Sequence, residues 1–186
     1  MALPAASRAS PAYTAFLIVA LLCAAASVLP RSSADASFIA QTCHRTPQES
    51  LCVSVLQSIN GTSTAATVQE LAVAALLGAR RAALRAKLRS LDLGKNGPEK
   101  GTPVGELLAQ CDAIYSDCLR AGSRVVGSVS AGMYGGAADA AGALRLCPAR
   151  CEGLFQARRV ASPMEAVDRE MADKMEVAYQ IVRLLP

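Results

Sequence analysis

Apolar residues recur at helical spacing along most of the chain, and most regularly in the C-terminal segment. A near-heptad run there predicts a long helix with one apolar side facing a core. The run consists of Met164, Val167, Met171, Met175, Ala178, Val182 and Leu185. A capping box with proline at the first helical position, Ser162-Pro163-Met164-Glu165, precedes this run. The methionines are therefore interpreted as core residues and not as metal ligands.

Two further capping boxes predict the starts of two earlier helices. Thr46-Pro47-Gln48-Glu49 predicts a short helix from Pro47 to about Ser58, preceded by one or two helical turns. Thr67-Val68-Gln69-Glu70 opens a long helix that carries an apolar stripe of leucines. The stripe consists of Leu77, Leu84, Leu88 and Leu91. A neighbouring basic stripe is either a contact for an acidic partner or a solvated surface. It consists of Arg81, Arg85 and Arg89.

The second half of the chain contains a reversal. Pro103 is predicted to open a helix that continues toward Val129. The segment Gly132-Met133-Tyr134-Gly135-Gly136 then breaks the pattern, so the chain turns back there. An alanine-rich return helix follows over residues 137–147, and Pro148 disrupts its end. Long helices joined by such links predict an all-α fold, an up-and-down four-helix bundle with an N-terminal helical hairpin.

The first 36 residues are interpreted as a secretory signal peptide. Ala15–Val28 is apolar but too short to span a bilayer, and Ala34-Asp35-Ala36 provides a small-residue cleavage pattern. Cleavage after Ala36 leaves one domain, residues 37–186, with a hairpin over 37–60 and the bundle over 65–186. An uncleaved anchor is the alternative. We expect the mature protein to be secreted and not to bind a membrane.

Cleavage removes one of the seven cysteines. An even number in a secreted chain predicts three disulfides. The first two remaining cysteines would tie the hairpin. The next two lie two turns apart along one helix and the last two lie one turn apart on the returning segment, so antiparallel helices bring them together as nested pairs. The predicted bridges are Cys43–Cys52, Cys111–Cys151 and Cys118–Cys147.

The sequon Asn60-Gly61-Thr62 makes Asn60 a candidate for N-glycosylation. Asn-Gly is also a common turn pair that ends helices. Both interpretations place Asn60 on an exposed loop, so they are compatible.

Composition argues against several function classes. His44 is the one histidine, and the chain contains none of the common hydrolase, zinc-protease or nucleotide-binding motifs. We therefore expect no enzyme activity, no cofactor and no metal site. Aromatic residues make up 4% of the chain, which disfavours a sugar-binding role. The net charge of +4 comes without a basic run, so no nucleic-acid partner is expected.

Three segments carry a resemblance to plant invertase and pectin methylesterase inhibitors. Phe38–Cys52 (FIAQTCHRTPQESLC) resembles the opening of that family, which has an apolar pair followed by two cysteines. Leu107–Asp117 (LLAQCDAIYSD) is similar to the segment around the family's third cysteine, with Tyr115 four residues after Cys111. Cys151–Phe155 (CEGLF) resembles the segment of the fourth. The resemblance covers essentially the whole mature chain.

The resemblance implies a helical hairpin and a four-helix bundle, secreted to the plant cell wall (apoplast). It implies that the protein blocks a carbohydrate-active enzyme in a one-to-one complex. The family pairs its first cysteine with its second and its third with its fourth, which matches two of the bridges predicted from spacing. The sequence departs from the family pattern at Cys118 and Cys147, since four paired cysteines are usual, and at Gln48, where an aromatic residue often stands.

The reversal bears on the choice of target. Invertase inhibitors of the family tend to carry a Pro-Lys-Phe tripeptide at this turn, whereas Gly132-Met133-Tyr134 looks more like the Gly-x-Tyr run of pectin methylesterase inhibitors. Pectin methylesterase is therefore the favoured target, and acid invertase is the alternative. We expect Met133 and Tyr134 to contact the target, although Tyr134 could equally cap the bundle core. Arg124 or Arg145 could replace the missing lysine.

A disulfide-tied helical carrier of an apolar ligand is a more remote alternative. It would require an emptied core large enough for an acyl chain.

Overall fold

The computed structural model describes residues 32–186, with side chains from Ala36 onward. Ala34–Pro186 forms one compact unit. The predicted signal peptide lies outside the described residues as far as residue 31, and cleavage after Ala36 stays a prediction. Within the described part of the chain, no helix is long and apolar enough to cross a membrane.

Residues 32–186 consist of helices joined by turns and short links, which confirms the all-α class. The helices, in chain order, are α1 (Ser32–Cys43), α2 (Glu49–Gln57), α3 (Val68–Leu91), α4 (Pro103–Ser130), α5 (Ala137–Leu144), α6 (Leu146–Arg158) and α7 (Glu165–Val182). A short 3-10 helix at Thr62–Thr64 precedes α3, and a π-helical turn at Asp92–Asn96 extends it. This turn occupies part of the segment between α3 and α4.

The predicted four-helix bundle is formed by α3, α4, the consecutive pair α5 and α6, and α7. α3 packs along both α4 and α7, while α5 and α6 together pack against α4 and α7. The pair therefore serves as one bundle member, interrupted at Arg145. α2 packs on α7, so the N-terminal hairpin lies against the side of the bundle.

The buried side of α3 consists mainly of alanines. These are Ala72, Ala75, Ala79, Ala82, Ala83 and Ala86. The leucine stripe lies on another side of this helix, where Leu84 is 46% exposed and Leu88 is 55% exposed. Short side chains let α3 approach α4 and α7 closely, and leucines at those positions would hold the helix axes apart. The sequence thus predicts the helix correctly, and its Thr67 capping box is present. The leucines of the predicted stripe do not form the core, whereas Leu71 and Leu76, which are not in that stripe, are buried.

The predicted capping box of α2 is wrong. The helix begins at Glu49, and the side chain of Gln48 before it makes no capping hydrogen bond. The Thr46 hydroxyl instead donates to the carbonyl of Cys43, at 2.7 Å, at the end of α1. The short link between the two helices turns Thr46 back toward α1, where it satisfies a terminal carbonyl.

The prediction that Pro148 disrupts the end of the return helix is also wrong. α5 already ends at Leu144, and Pro148 lies within the first turn of a separate helix, α6, that continues to Arg158. Amides in a first turn have no intrahelical acceptor, so proline is tolerated there.

The C-terminal helix α7 is confirmed, and so is its methionine core. Met164, Met171 and Met175 are all buried. The capping box before α7 is wrong in detail, because Glu165 pairs with Arg169 instead of reaching back. Ser162 still accepts a hydrogen bond from the Met164 amide at 3.1 Å.

Candidate functional site

Three disulfides cross-link the described part of the chain, and two of them lie in the part that carries the reversal. They join Cys43 to Cys52, Cys111 to Cys151 and Cys118 to Cys147, with Cα–Cα distances of 5.5, 5.0 and 6.3 Å. These are the same three pairs that the sequence predicts. The second and third bridges both join α4 to α6, and all six cysteines are buried. Two covalent cross-links on one helix pair leave little freedom for α4 and α6 to shift relative to each other.

The reversal between α4 and α5 is held by backbone hydrogen bonds. Gly132 and Gly136 adopt the left-handed conformation, with φ of 73° and 75°, that residues with a side chain rarely adopt. The Met133 amide donates to the Ser128 carbonyl at 2.9 Å, which closes the end of α4. The Gln69 side chain of α3 donates to the Val129 carbonyl at 2.9 Å. The turn is therefore anchored both within α4 and to the neighbouring helix.

The two side chains at the tip of the reversal differ in exposure. Met133 is 61% exposed. Tyr134 is half-buried and packs against the hydrophobic core. The tip therefore presents one apolar side chain outward, while the neighbouring ring partly caps the bundle end.

A groove of about 370 Å³ runs beside the reversal between α4, α5 and the start of α6. Its apolar lining includes Ala140, Ala143 and the bridged pair Cys118–Cys147. Arg124 from α4 and Arg150 from α6 also line it. Within residues 32–186 neither arginine forms an ion pair. The arrangement offers a small apolar trough with two available cations.

Of the two arginines in the groove, Arg124 is among the residues predicted from the sequence and Arg150 is not. Arg150 lies three residues after Cys147, so it shares a helix face with a bridged cysteine. That spacing is the sequence pattern that would have indicated Arg150.

The family model described as plant invertase/pectin methylesterase inhibitor matches residues 37–183. The chain belongs to this family. Members of the family are extracellular proteins that inhibit pectin methylesterase or invertase and are not themselves enzymes. A search of curated proteins finds no match to this chain.

Arg145 of the inhibitor is engaged elsewhere. Its Nη1 lies 2.7 Å from an oxygen of Glu176 on α7, and its guanidinium stacks 4.0 Å from the centre of the Tyr179 ring. It does not line the groove that contains Arg124. The structure thus separates the two arginines considered as replacements for a turn lysine, and Arg145 holds the α5–α6 junction to α7.

Two neighbouring carboxyl groups, Asp168, which is buried, and Glu152, which is partly buried, lie elsewhere in the inhibitor, between α4, α6 and α7. The Tyr115 hydroxyl donates to Oδ1 of Asp168 at 2.6 Å. Asp168 is 2% exposed, and its Oδ2 has no hydrogen-bond partner in the described part of the chain. Glu152, which accepts a hydrogen bond from Ser162 at 2.6 Å, lies beside it. Sulfur of Cys151 also lies within 4.8 Å, but it is bridged to Cys111 and offers no thiolate ligand.

Burial raises the pKa of Asp168 to about 7. The hydrogen bond from Tyr115 acts in the opposite direction, and the nearby Glu152 raises the pKa further. Burial together with Asp168 also raises the pKa of Tyr115 well above its usual value. Asp168 therefore keeps its proton over most of the acidic range.

Proposed function

We propose that this inhibitor blocks a pectin methylesterase in a one-to-one complex, and that it binds the enzyme through the reversal and the adjoining groove. The observation that carries the proposal is Met133, an apolar side chain that is 61% exposed at the tip of a doubly anchored turn. An exposed apolar residue on a rigid support gains binding free energy when it is covered, and little conformational entropy is lost.

The groove supports the same binding surface. Arg124 and Arg150 are available to carboxylates of a partner, and each such charge-assisted hydrogen bond contributes about 1.5 to 3 kcal/mol when water is excluded. The small alanine side chains between them leave space for a protruding side chain of the enzyme. A compact surface results, with one apolar anchor and two cations.

The choice of pectin methylesterase over invertase rests on the missing turn lysine. The reversal carries no cation of its own, and Arg145 is occupied by Glu176 and Tyr179. An inhibitor that places a lysine of this turn among the carboxylates of an invertase site gains a charged hydrogen bond that the tip of the reversal lacks here, because Arg124 and Arg150 lie in the groove and not at the tip. The lack of that bond weakens binding by about one to two powers of ten.

The interior of the bundle argues against the apolar-carrier alternative. The pocket enclosed by α3, α4, α5 and α7 measures about 10 Å³. That volume accommodates about one water molecule and no acyl chain. A carrier would have to open the bundle, which the disulfides between α4 and α6 oppose.

The test is an inhibition assay of the purified mature protein against pectin methylesterases and acid invertases, from acidic to neutral pH. We expect inhibition of a pectin methylesterase, and a complex mass equal to one copy of each protein. Tight inhibition of an acid invertase together with no inhibition of several pectin methylesterases would overturn the proposed target. A complex with two inhibitor chains would overturn the stoichiometry.

A pair of variants tests the binding surface. Met133→Asp places a charge at the proposed centre of the interface, and we expect inhibition to weaken by about a hundredfold, or about 2.7 kcal/mol. Tyr134→Ala should weaken it by about tenfold. Leu88→Asp is the matched control, because Leu88 is a similarly exposed apolar residue on α3, outside the reversal and the groove. Equal losses for Met133→Asp and Leu88→Asp, or none for either, would contradict the proposed surface.

A further inference from the structure

The loop after α2 carries the sequon Asn60-Gly61-Thr62, which lies outside the reversal and the groove beside it. Asn60 is exposed, and Gly61 adopts the left-handed conformation with φ of 94°. Both residues line a groove of about 640 Å³ between this loop and the N-terminal half of α3. The attachment atom of a glycan would thus lie at the groove itself.

The groove has the mixed surface that a sugar ring requires. Val73, Ala74 and Leu77 of α3 form an apolar wall that is only partly buried. Arg81 lies on the same side of α3, and within residues 32–186 it forms no ion pair, unlike Arg85. The C–H face of a pyranose and the methyl of an acetamido group fit an aliphatic wall, while guanidinium donors suit sugar hydroxyls.

We propose that Asn60 carries an N-linked glycan whose first N-acetylglucosamine units lie in this groove against α3. The glycan is the one occupant that begins at a residue of the groove. It covers the apolar wall at Leu77, which the fold leaves accessible on the solvent side of α3. The groove reaches Ser130 at the end of α4, so the glycan lies at the same end of the bundle as the reversal, where Met133 keeps its exposed apolar side chain.

Thr62 determines when the modification takes place. It is 2% exposed, and its hydroxyl oxygen lies 2.6 Å from the Leu56 carbonyl and 2.8 Å from the Ile59 carbonyl. The third residue of the sequon is therefore sealed in the folded protein, where a glycosyltransferase cannot reach it. The sugar is transferred before this loop closes, while the chain enters the secretory pathway.

The same contacts decide which variant gives a clean test. Thr62→Ala removes the sequon but also removes two buried contacts of the loop, so it would confuse glycosylation with stability. Asn60→Gln removes the acceptor at an exposed position and leaves those contacts intact. Thr62→Ser keeps both the sequon and the hydroxyl and serves as a positive control.

The first measurement is the intact mass of the full chain secreted by cultured plant cells, before and after treatment with a glycosidase that releases fucosylated N-glycans. We expect a mass above that of the polypeptide, which falls on treatment, and no such excess in Asn60→Gln. A wild-type mass equal to that of the bare polypeptide would overturn the proposal.

The second measurement tests where the glycan lies. Hydroxyl-radical labelling of side chains is compared between the glycosylated protein and Asn60→Gln. We expect labelling of Leu77 to be at least halved by the glycan, while Leu88, which lies further along α3 and outside the groove, is labelled equally in both. Equal labelling of Leu77 in the two forms would show a glycan that extends into solvent, and would overturn its placement in the groove.

Discussion

Two interfaces of the bundle are held together by different means. Two disulfides join α4 to α6. Asp168 of α7 accepts a hydrogen bond from Tyr115 of α4 and lies beside Glu152 of α6. α3 and α7 are held by close packing of alanines against methionines, with ion pairs only at the surface. Covalent bonds fix the first interface. The second depends on side-chain size, and the comparison shows that one small bundle uses both solutions.

The largest expected effect concerns the covalent interface. Replacing both Cys111 and Cys151 by alanine frees a cross-link that spans 40 residues. Because Cys118–Cys147 still closes 29 of those residues, the loop that is released is about 11 residues long, and the chain-entropy model gives a loss of about 3 kcal/mol in the free energy of unfolding. Chemical denaturation of the wild type and the variant, each under oxidising and non-oxidising conditions, measures this difference in the free energy of unfolding. If the doubly substituted protein unfolds at the same denaturant concentration as the wild type, the covalent bond does not stabilise this interface.

The packed interface should respond to added volume. Ala83 is 1% exposed and faces a pocket of only about 10 Å³, so Ala83→Leu forces α3 away from its neighbours. We expect a loss of about 2 to 3 kcal/mol in the free energy of unfolding. Ala113→Leu, at an exposed position on α4, is the matched control and should change stability by less than about 0.5 kcal/mol. Similar losses in both variants would mean that the stability of the bundle does not depend on the close approach of α3 to its neighbours.

Asp168, together with the neighbouring Glu152, makes the stability of the region around α4 and α6 sensitive to pH. The pKa of Asp168 is raised to about 7, so the folded state binds a proton that the unfolded chain releases near pH 4. The stabilisation is present at low pH and is lost as the pH rises from about 4 through about 7. We expect a fall on the order of 2 kcal/mol over this range, which calorimetry at several pH values measures.

Asp168→Asn provides the control for this pH dependence. The amide cannot ionise, so the decline between acidic and neutral pH should flatten. The two titratable groups that face Asp168, Tyr115 and Glu152, remain in the variant. A wild-type protein that is equally stable at acidic and neutral pH, or a variant with the wild-type slope, would show that this proton is not linked to folding.

The smallest effect is expected at the surface of the packed interface. Arg85 of α3 pairs with Glu170 of α7, and both side chains are nearly half exposed. Lys174 already lowers the pKa of Glu170, so the carboxylate keeps a partner without Arg85. Arg85→Ala should therefore change the free energy of unfolding by less than about 0.5 kcal/mol. A loss of unfolding free energy as large as that of Ala83→Leu would show that this ion pair, and not packing alone, stabilises the interface between α3 and α7.

The same contrast explains what the sequence predicts well. The methionine run of α7 is surrounded by polar residues, so its period identifies both the helix and its buried side. α3 carries apolar residues on two sides, mainly alanines together with Leu71 and Leu76 on one and the predicted leucine stripe on the other. Hydrophobicity favours the leucines, and only the closeness of α4 and α7 selects the alanines. Close approach is a tertiary property that no local pattern contains.

The candidate site divides in a similar way. The disulfide pairs follow from helical spacing because a bridge tolerates only short distances between its ends. Asp168 has the sequence signature of an ordinary acidic residue near a helix start, and nothing nearby in the chain reveals that it meets Tyr115 and Glu152. Arg145 likewise finds Glu176 and Tyr179 only after α5 and α7 have packed. Contacts between segments that are distant in the sequence therefore determine the burial and the hydrogen-bond partners of these side chains.

The exposure of Met133 also has a chemical consequence. Met164, Met171 and Met175 are sealed in the core, whereas the thioether of Met133 is open to peroxides. Oxidation to the sulfoxide turns a soft apolar tip into a polar, chiral group and leaves the fold untouched. Among the methionines of residues 36–186, the most exposed one thus lies at the proposed contact surface. A burst of extracellular peroxide would weaken inhibition of the enzyme without unfolding the protein.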